Sequence, residues 1–143
     1  MRAVNAARRH GHAMSLCICD LDRFKGINDT FGHGAGDRAL QTFAEAILLE
    51  LRQDELAARL GGDEFCILFA HSPAQEARAS LERIRENLAT LEVALDGGGS
   101  FRLSASFGLT EFEKSMDHES FFDTADRALY KAKSGGRNRV EVV

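Results

Sequence analysis

The run Gly61-Gly62-Asp63-Glu64-Phe65 separates two short apolar segments, Leu56-Ala57-Ala58-Arg59-Leu60 and Phe65-Cys66-Ile67-Leu68-Phe69-Ala70. Short apolar segments on both sides of a Gly-Gly pair predict a β-hairpin. The glycines tolerate positive φ and let another molecule approach the backbone. Asp63 and Glu64 then stand at the tip of a rigid element. Alone, such a sequence is an ordinary tight turn with solvated acids. A second acidic cluster, Asp20-Leu21-Asp22, changes the weighing, because it too ends an apolar run, Met14-Ser15-Leu16-Cys17-Ile18-Cys19.

If the first strand and the hairpin are neighbours in one sheet, Asp20, Asp63 and Glu64 converge. Three close carboxylates repel and take up protons unless a cation neutralises them. Oxygen-only ligands favour a hard ion such as Mg²⁺, which also retains waters and phosphate oxygens. Asp20 and Asp22 have a competing role as N-caps of the helical turn that follows, and for Asp22 the cap is the preferred reading.

Further out, the pattern alternates helices and strands. Arg8, Arg9, His10 and Gly11 suit the end of a helix over residues 1–13. A helical turn covers Arg23 to Asp29, and Thr30 to Gly36 reads as a glycine-rich loop. Asp37 opens a helix to about Leu51, with Leu40, Phe43, Ala44, Ile47 and Leu51 as its apolar stripe. Pro73 sits in the first turn of the next helix, whose buried face is Ala77, Leu81, Ile84, Leu88 and Leu91. After the turn at 96–99, Phe101 to Thr110 alternates as a strand with one face on a core. A helix from about Ser120 to Lys133 and a closing strand at 139–143 complete one domain over residues 1–143 of α/β or α+β class, with one central sheet.

At 143 residues the chain has room for one domain with a substantial core. No apolar stretch is long enough to span a membrane, and no signal peptide is expected in this stretch. The net charge of −4 gives no general attraction for nucleic acid or anionic lipid. Any bound anion must be held locally. Three cysteines, Cys17, Cys19 and Cys66, make no disulfide framework and read as small apolar core residues. Cations are available beside the acids. Lys25 follows Asp22 by one turn, at a helix start whose free N–H groups favour anions. Lys133 and Arg137 flank Gly135-Gly136, and Arg137 has the fork geometry for phosphate. Each alone is an unremarked solvated base.

The ordered set Asp20-Leu21-Asp22-Arg23-Phe24-Lys25-Gly26-Ile27-Asn28-Asp29, Phe31-Gly32-His33, Gly36-Asp37, Gly61-Gly62-Asp63-Glu64-Phe65, Ala128-Leu129-Tyr130-Lys131-Ala132-Lys133 and Gly136-Arg137-Asn138 resembles the GGDEF domain, the diguanylate cyclase family, over nearly the whole chain. The resemblance implies a nucleotide-cyclase or polymerase-palm-like fold, with a central, mostly antiparallel sheet flanked by helices. It implies that two GTP molecules are joined into cyclic di-GMP with loss of two pyrophosphates. Asp20, the Leu21 carbonyl, Asp63 and Glu64 would hold Mg²⁺ or Mn²⁺, two ions per GTP. Asp63 would also accept the 3′-hydroxyl proton, with Glu64 assisting. Lys25 would offset phosphate charge, and Lys133 and Arg137 would hold the outer oxygens. Asn28 and Asp37 would read guanine, with Leu40 against the base. His33, Phe24, Gly61 and Gly62 would lie close by. A symmetric product implies a homodimeric active form. A bacterial cytoplasmic location, possible tethering through an upstream sensory domain, and no contact with nucleic acid or membrane complete the expectation. The rival reading is a non-catalytic module that binds GTP or cyclic di-GMP, but such relatives usually lose an acid or the lysine, and both are present here.

Two departures matter. Many relatives carry Asp-x-Leu-Thr-Gly-Leu-x-Asn-Arg before the first strand, and this chain does not, so it reads as N-terminally truncated, mostly monomeric and slow. Many also carry an inhibitory Arg-x-x-Asp ahead of the glycine pair. Here the matching positions are Arg52 and Glu55, one methylene longer, with Arg83 as a further contact. Weakened product feedback is the expectation.

Overall fold

The computed structural model of the chain describes residues 11–143. The helix end expected at Arg8, Arg9 and His10 lies outside them. The elements run β1 (Met14–Leu21), α1 (Phe24–Phe31), α2 (His33–Glu50), β2 (Leu56–Gly61), β3 (Glu64–Ala70), α3 (Ala74–Thr90), β4 (Glu92–Ala94), β5 (Ser100–Arg102), β6 (Ala105–Glu111), α4 (His118–Ser134) and β7 (Arg139–Val142).

Five strands form one sheet in the order β2-β3-β1-β6-β7. All neighbours are antiparallel except β6 and β7, which are parallel and joined through α4. The fold is α+β, as expected. β1 is the middle strand, and all eight of its residues are buried. Cys17, Cys19 and Leu21 face α2 and α3 in the main core, while Met14, Leu16 and Ile18 face Phe121, Ala125 and Leu129 of α4. The cysteines are unpaired, with Cys17 and Cys19 buried and Cys66 half-buried. Phe43 of α2 meets Phe65 and Phe107 edge-on, at centroid distances of 5.2 and 6.2 Å. Phe65 directly follows the hairpin's acids, so this contact pins the hairpin's base to the core. None of the helices among the described residues is long and apolar enough to cross a membrane.

The structure differs from the sequence expectation in four places. The stretch 101–110 is two strands. β5 pairs with β4 in a separate two-stranded sheet. β6 lies between β1 and β7 with helices on both sides, so Ser106, Gly108 and Thr110 are buried along with Ala105, Phe107 and Leu109. Alternation there does not mark a wet face. α2 begins at His33, four residues early, because Ala35 and Gly36 are buried and packing outweighs glycine's low helix propensity. Asp37 is therefore inside the helix and does not cap it. Asp117 caps α4 through a reciprocal box with Ser120, which places that start at His118. Pro73 is the N-cap residue of α3, and Leu91 lies past its end, 38% exposed.

Candidate active site

The end of β1 and the tip of the β2–β3 hairpin lie side by side, with Asp20 opposite Glu64 across the ladder. The hairpin turns at Gly61 and Gly62, with φ of 149° and 53°. Glycine meets that requirement without strain. The Arg59 Nε donates to the Gly62 carbonyl at 2.8 Å and closes the turn. A cleft of about 290 Å³ opens between the two acidic ends. Asp20, Leu21, Asp22 and Asp63 line it together with Arg23, Phe24, Lys25, Lys133 and Arg137.

Asp20 is 5% exposed. Its Oδ2 lies 2.5 Å from the Lys133 Nζ. Its Oδ1 is buried and has no hydrogen-bond partner among the described residues. Burial raises its pKa to about 6, a rise that Lys133 moderates and the charges of Asp63 and Asp22 reinforce. Burial likewise pushes Glu64 upward, with Asp126 adding to it. For Lys133, burial works downward, but the hydrogen bond and charge of Asp20 outweigh it and the net shift is upward. An unpartnered, dry carboxylate oxygen beside Asp63 is a deficit that a hard cation would remove. The oxygen-only donors fit Mg²⁺ or Mn²⁺. Among the described residues, no group of three or more His, Cys, Asp and Glu side chains is gathered to hold a metal on its own. Mg²⁺ is commonly bound by one or two carboxylates together with waters and substrate phosphates.

The Asp20 shift has a stability consequence. Below pH 4 the carboxyl is protonated folded or unfolded. Between about 4 and about 6 the unfolded chain releases this proton first, so the unfolded state is favoured as pH rises. Wild type should therefore lose stability relative to Asp20→Asn as pH climbs from 4 to 6, and the difference should flatten above that. Urea unfolding at intervals across the window checks this; a constant difference would contradict it.

Asp22 is not a helix cap. The N-cap of α1 is Arg23, in a left-handed conformation with φ 56° and no side-chain cap bond. The Asp22 carboxylate instead accepts from Ser104 Oγ and Ser106 Oγ, each at 2.6 Å, and from the Asn138 amide at 3.0 Å. It ties the β5–β6 link and the segment after α4 to the end of β1. That segment carries Arg137, which shares positive φ with Asn138. Asp22 thus positions a basic part of the cleft lining. Asp22→Asn replaces one acceptor oxygen with a donor facing hydroxyls and an amide, and should cost about 2 kcal/mol in urea unfolding. A loss under about 0.5 kcal/mol would show these bonds to be dispensable.

Sequence reasoning also missed Arg23, which lines the cleft. Its signal, a non-glycine residue held at positive φ, is visible only in the backbone. Asn28 lies one turn further along α1, packed so closely on Gly36 that a Cβ there would overlap its side chain. His33 and Asp37 are exposed on the first turns of α2. Leu40 is 7% exposed and belongs to the main core. None of these four lines the cleft. At the expected inhibitory positions, the Glu55 carboxylate is turned back onto the Arg52 amide at 2.8 Å and is buried. Arg83 pairs with Glu50 at 2.9 Å, and the Arg52 side chain is exposed.

The family model of the GGDEF domain, diguanylate cyclase, matches residues 1–139. The chain is 40% identical over 136 residues to the probable diguanylate cyclase DgcC of Escherichia coli K12, covering 94% of this chain and 36% of that protein. It is 41% identical over 138 residues to the diguanylate cyclase DgcP of Pseudomonas aeruginosa, covering 95% of this chain and 20% of that protein. It therefore spans about a third or less of these relatives. Among solved structures, the GGDEF domain of DgcB from Caulobacter crescentus, in complex with c-di-GMP, superposes with a TM-score of 0.95 at 34% identity, over 99% of this chain and 84% of that one. Diguanylate cyclase SiaD from Pseudomonas aeruginosa, in complex with its activator SiaC, gives 0.94 at 37% identity, over 99% and 54%. On the match over residues 1–139 and on the fold shared with these domains, the chain belongs to the GGDEF family.

Proposed function

We propose that this chain is a diguanylate cyclase domain that joins two GTP molecules into cyclic di-GMP. The observation that carries the reading is one cleft lined by Asp20 and Asp63 together with Lys25, Lys133 and Arg137. That is the charge pattern a metal-bound triphosphate demands.

Asp20 and Asp63 would hold Mg²⁺ or Mn²⁺, two ions per GTP, with the Leu21 carbonyl and Glu64 assisting. Bound there, the cation supplies Lewis-acid stabilisation of the reacting oxygens. Asp63, half-exposed at the hairpin tip, would accept the proton of the attacking 3′-hydroxyl. The hydroxyl oxygen bonds to the α-phosphorus of a second GTP, the bond to the β-phosphate oxygen breaks, and pyrophosphate leaves with its electron pair. Lys25 and Arg137 offset charge on the phosphates. Among the described residues neither side chain has a hydrogen bond or ion pair of its own to break. Asn28, Asp37 and Leu40 are proposed to read the guanine edge from the α1–α2 corner, with His33 nearby.

Each domain holds one GTP, so two copies must face each other to close a symmetric ring. The test is incubation with GTP and Mg²⁺ over a range of protein concentrations, with cyclic di-GMP measured chromatographically. The rate per mole should rise with concentration through the range in which dimers form. Product at a constant rate per mole would rule out the shared site, and tight GTP binding without turnover under enforced dimerisation would favour a sensor. Because Glu55 is committed to the Arg52 backbone, feedback by the product is proposed to be weak.

A further inference from the structure

Asp20 is a buried carboxylate with two unlike oxygens. Oδ2 is neutralised by Lys133 at 2.5 Å, while Oδ1 is shielded from water and has no partner among the described residues. Lys133 comes from the last turn of α4, at the end of a long unbranched stem, and its side chain is 38% exposed. The charges of Asp63 and Glu64 also favour its protonated form. It therefore stands where the positive charge of a bound cation would be needed. A single ammonium satisfies only one of the two oxygens, so the carboxylate is left half-compensated.

A divalent cation arriving at Asp20 meets this ammonium a few ångströms away. Two cations on one carboxylate repel, and the burial of Asp20 weakens the solvent screening between them. The displaced lysine, on a part-exposed stem, can turn toward solvent, and an anion entering the same cleft gives it a new partner. We propose that Lys133 is a resident surrogate for the metal: it and the divalent cation occupy Asp20 alternately, and the nucleotide's phosphates receive the displaced ammonium. This rests on the reading of the cleft as a metal–nucleotide site. It adds that metal and nucleotide bind cooperatively because one side chain is exchanged between two anions. Lys133 is here a positioning residue for Asp20 before it is a phosphate ligand.

The test uses Mn²⁺ alone, without nucleotide, titrated into the whole chain and followed by calorimetry and by the free-Mn²⁺ paramagnetic signal. Lys133→Met should bind Mn²⁺ about tenfold more tightly than wild type. Lys25→Met removes a charge from the same cleft but not from Asp20, and should change the affinity by no more than about twofold. Asp20→Asn should lose the site. Equal affinity in wild type and Lys133→Met, or an equal gain from Lys25→Met, overturns the exchange, while loss of Mn²⁺ uptake in Asp20→Asn alone would still support the metal site. No Mn²⁺ uptake by any of these proteins, with or without GTP, overturns the exchange and the metal reading together. Should Lys133→Met fail to fold, wild type answers by itself. The Lys133 ammonium signal in ¹⁵N-labelled protein should be protected from solvent exchange in the free chain and lose that protection at saturating Mg²⁺. Protection that persists at saturating Mg²⁺ overturns the proposal.

Discussion

Asp63→Ala is expected to lower cyclic di-GMP formation by about 10³-fold or more, with little change in stability. Removing a positioned proton acceptor costs about 10² to 10⁴ in rate, and the same change would strip a ligand from a metal that stabilises the transition state. The fold should not notice. Asp63 is half-exposed in the turn, and no hydrogen bond or ion pair of its side chain is present among the described residues. Substitutions at such positions stay within about 0.5 kcal/mol. The turn itself is held by Gly61, Gly62 and the Arg59 bond, all untouched. Product yield from GTP and Mg²⁺, read beside a urea unfolding curve, separates the two effects. Undiminished product would remove Asp63 from the chemistry. Lost product with lost stability would reassign it to the fold.

Gly108→Ala is expected to be the most damaging single methyl group in the chain, at about 3 kcal/mol or more. A Cβ at this position would come under 3.0 Å from Leu129 N, the Ala125 carbonyl oxygen and Leu129 Cα. All three are backbone of α4, so no side chain can swing aside. Either β6 bends, although it is paired with β1 and β7, or α4 lifts from the sheet. Against a typical total of about 5–15 kcal/mol the loss is a large fraction. Lifting α4 would also carry Lys133 away from Asp20. Urea unfolding measures the cost, and a loss under about 1 kcal/mol would mean the helix is not seated as closely as described.

Much of the cleft was legible because it depends on local signals. A glycine pair between apolar segments gives the hairpin, and acids closing apolar runs give the cleft its acidic lining. What escaped depends on burial and long-range pairing. Gly32, Gly34 and Gly36 suggested a loop, yet Gly36 is buried in α2 against Asn28. Ser104 and Ser106 looked like the wet side of a strand and instead hold Asp22. Lys133 was recognisable as a cation for this cleft, but its pairing with Asp20 joins residues whose neighbourhood only the sheet creates.

The bonds to Asp22 span 82, 84 and 116 residues of chain. Closing such spans carries a steep entropic toll on folding speed. During synthesis Ser104 and Ser106 become available to Asp22 first, and the set is complete only once Asn138 clears the ribosome. The cleft is therefore completed late, and chains cut before Asn138 would carry every acid of the motif without the bond that ties the Arg137 segment to Asp22.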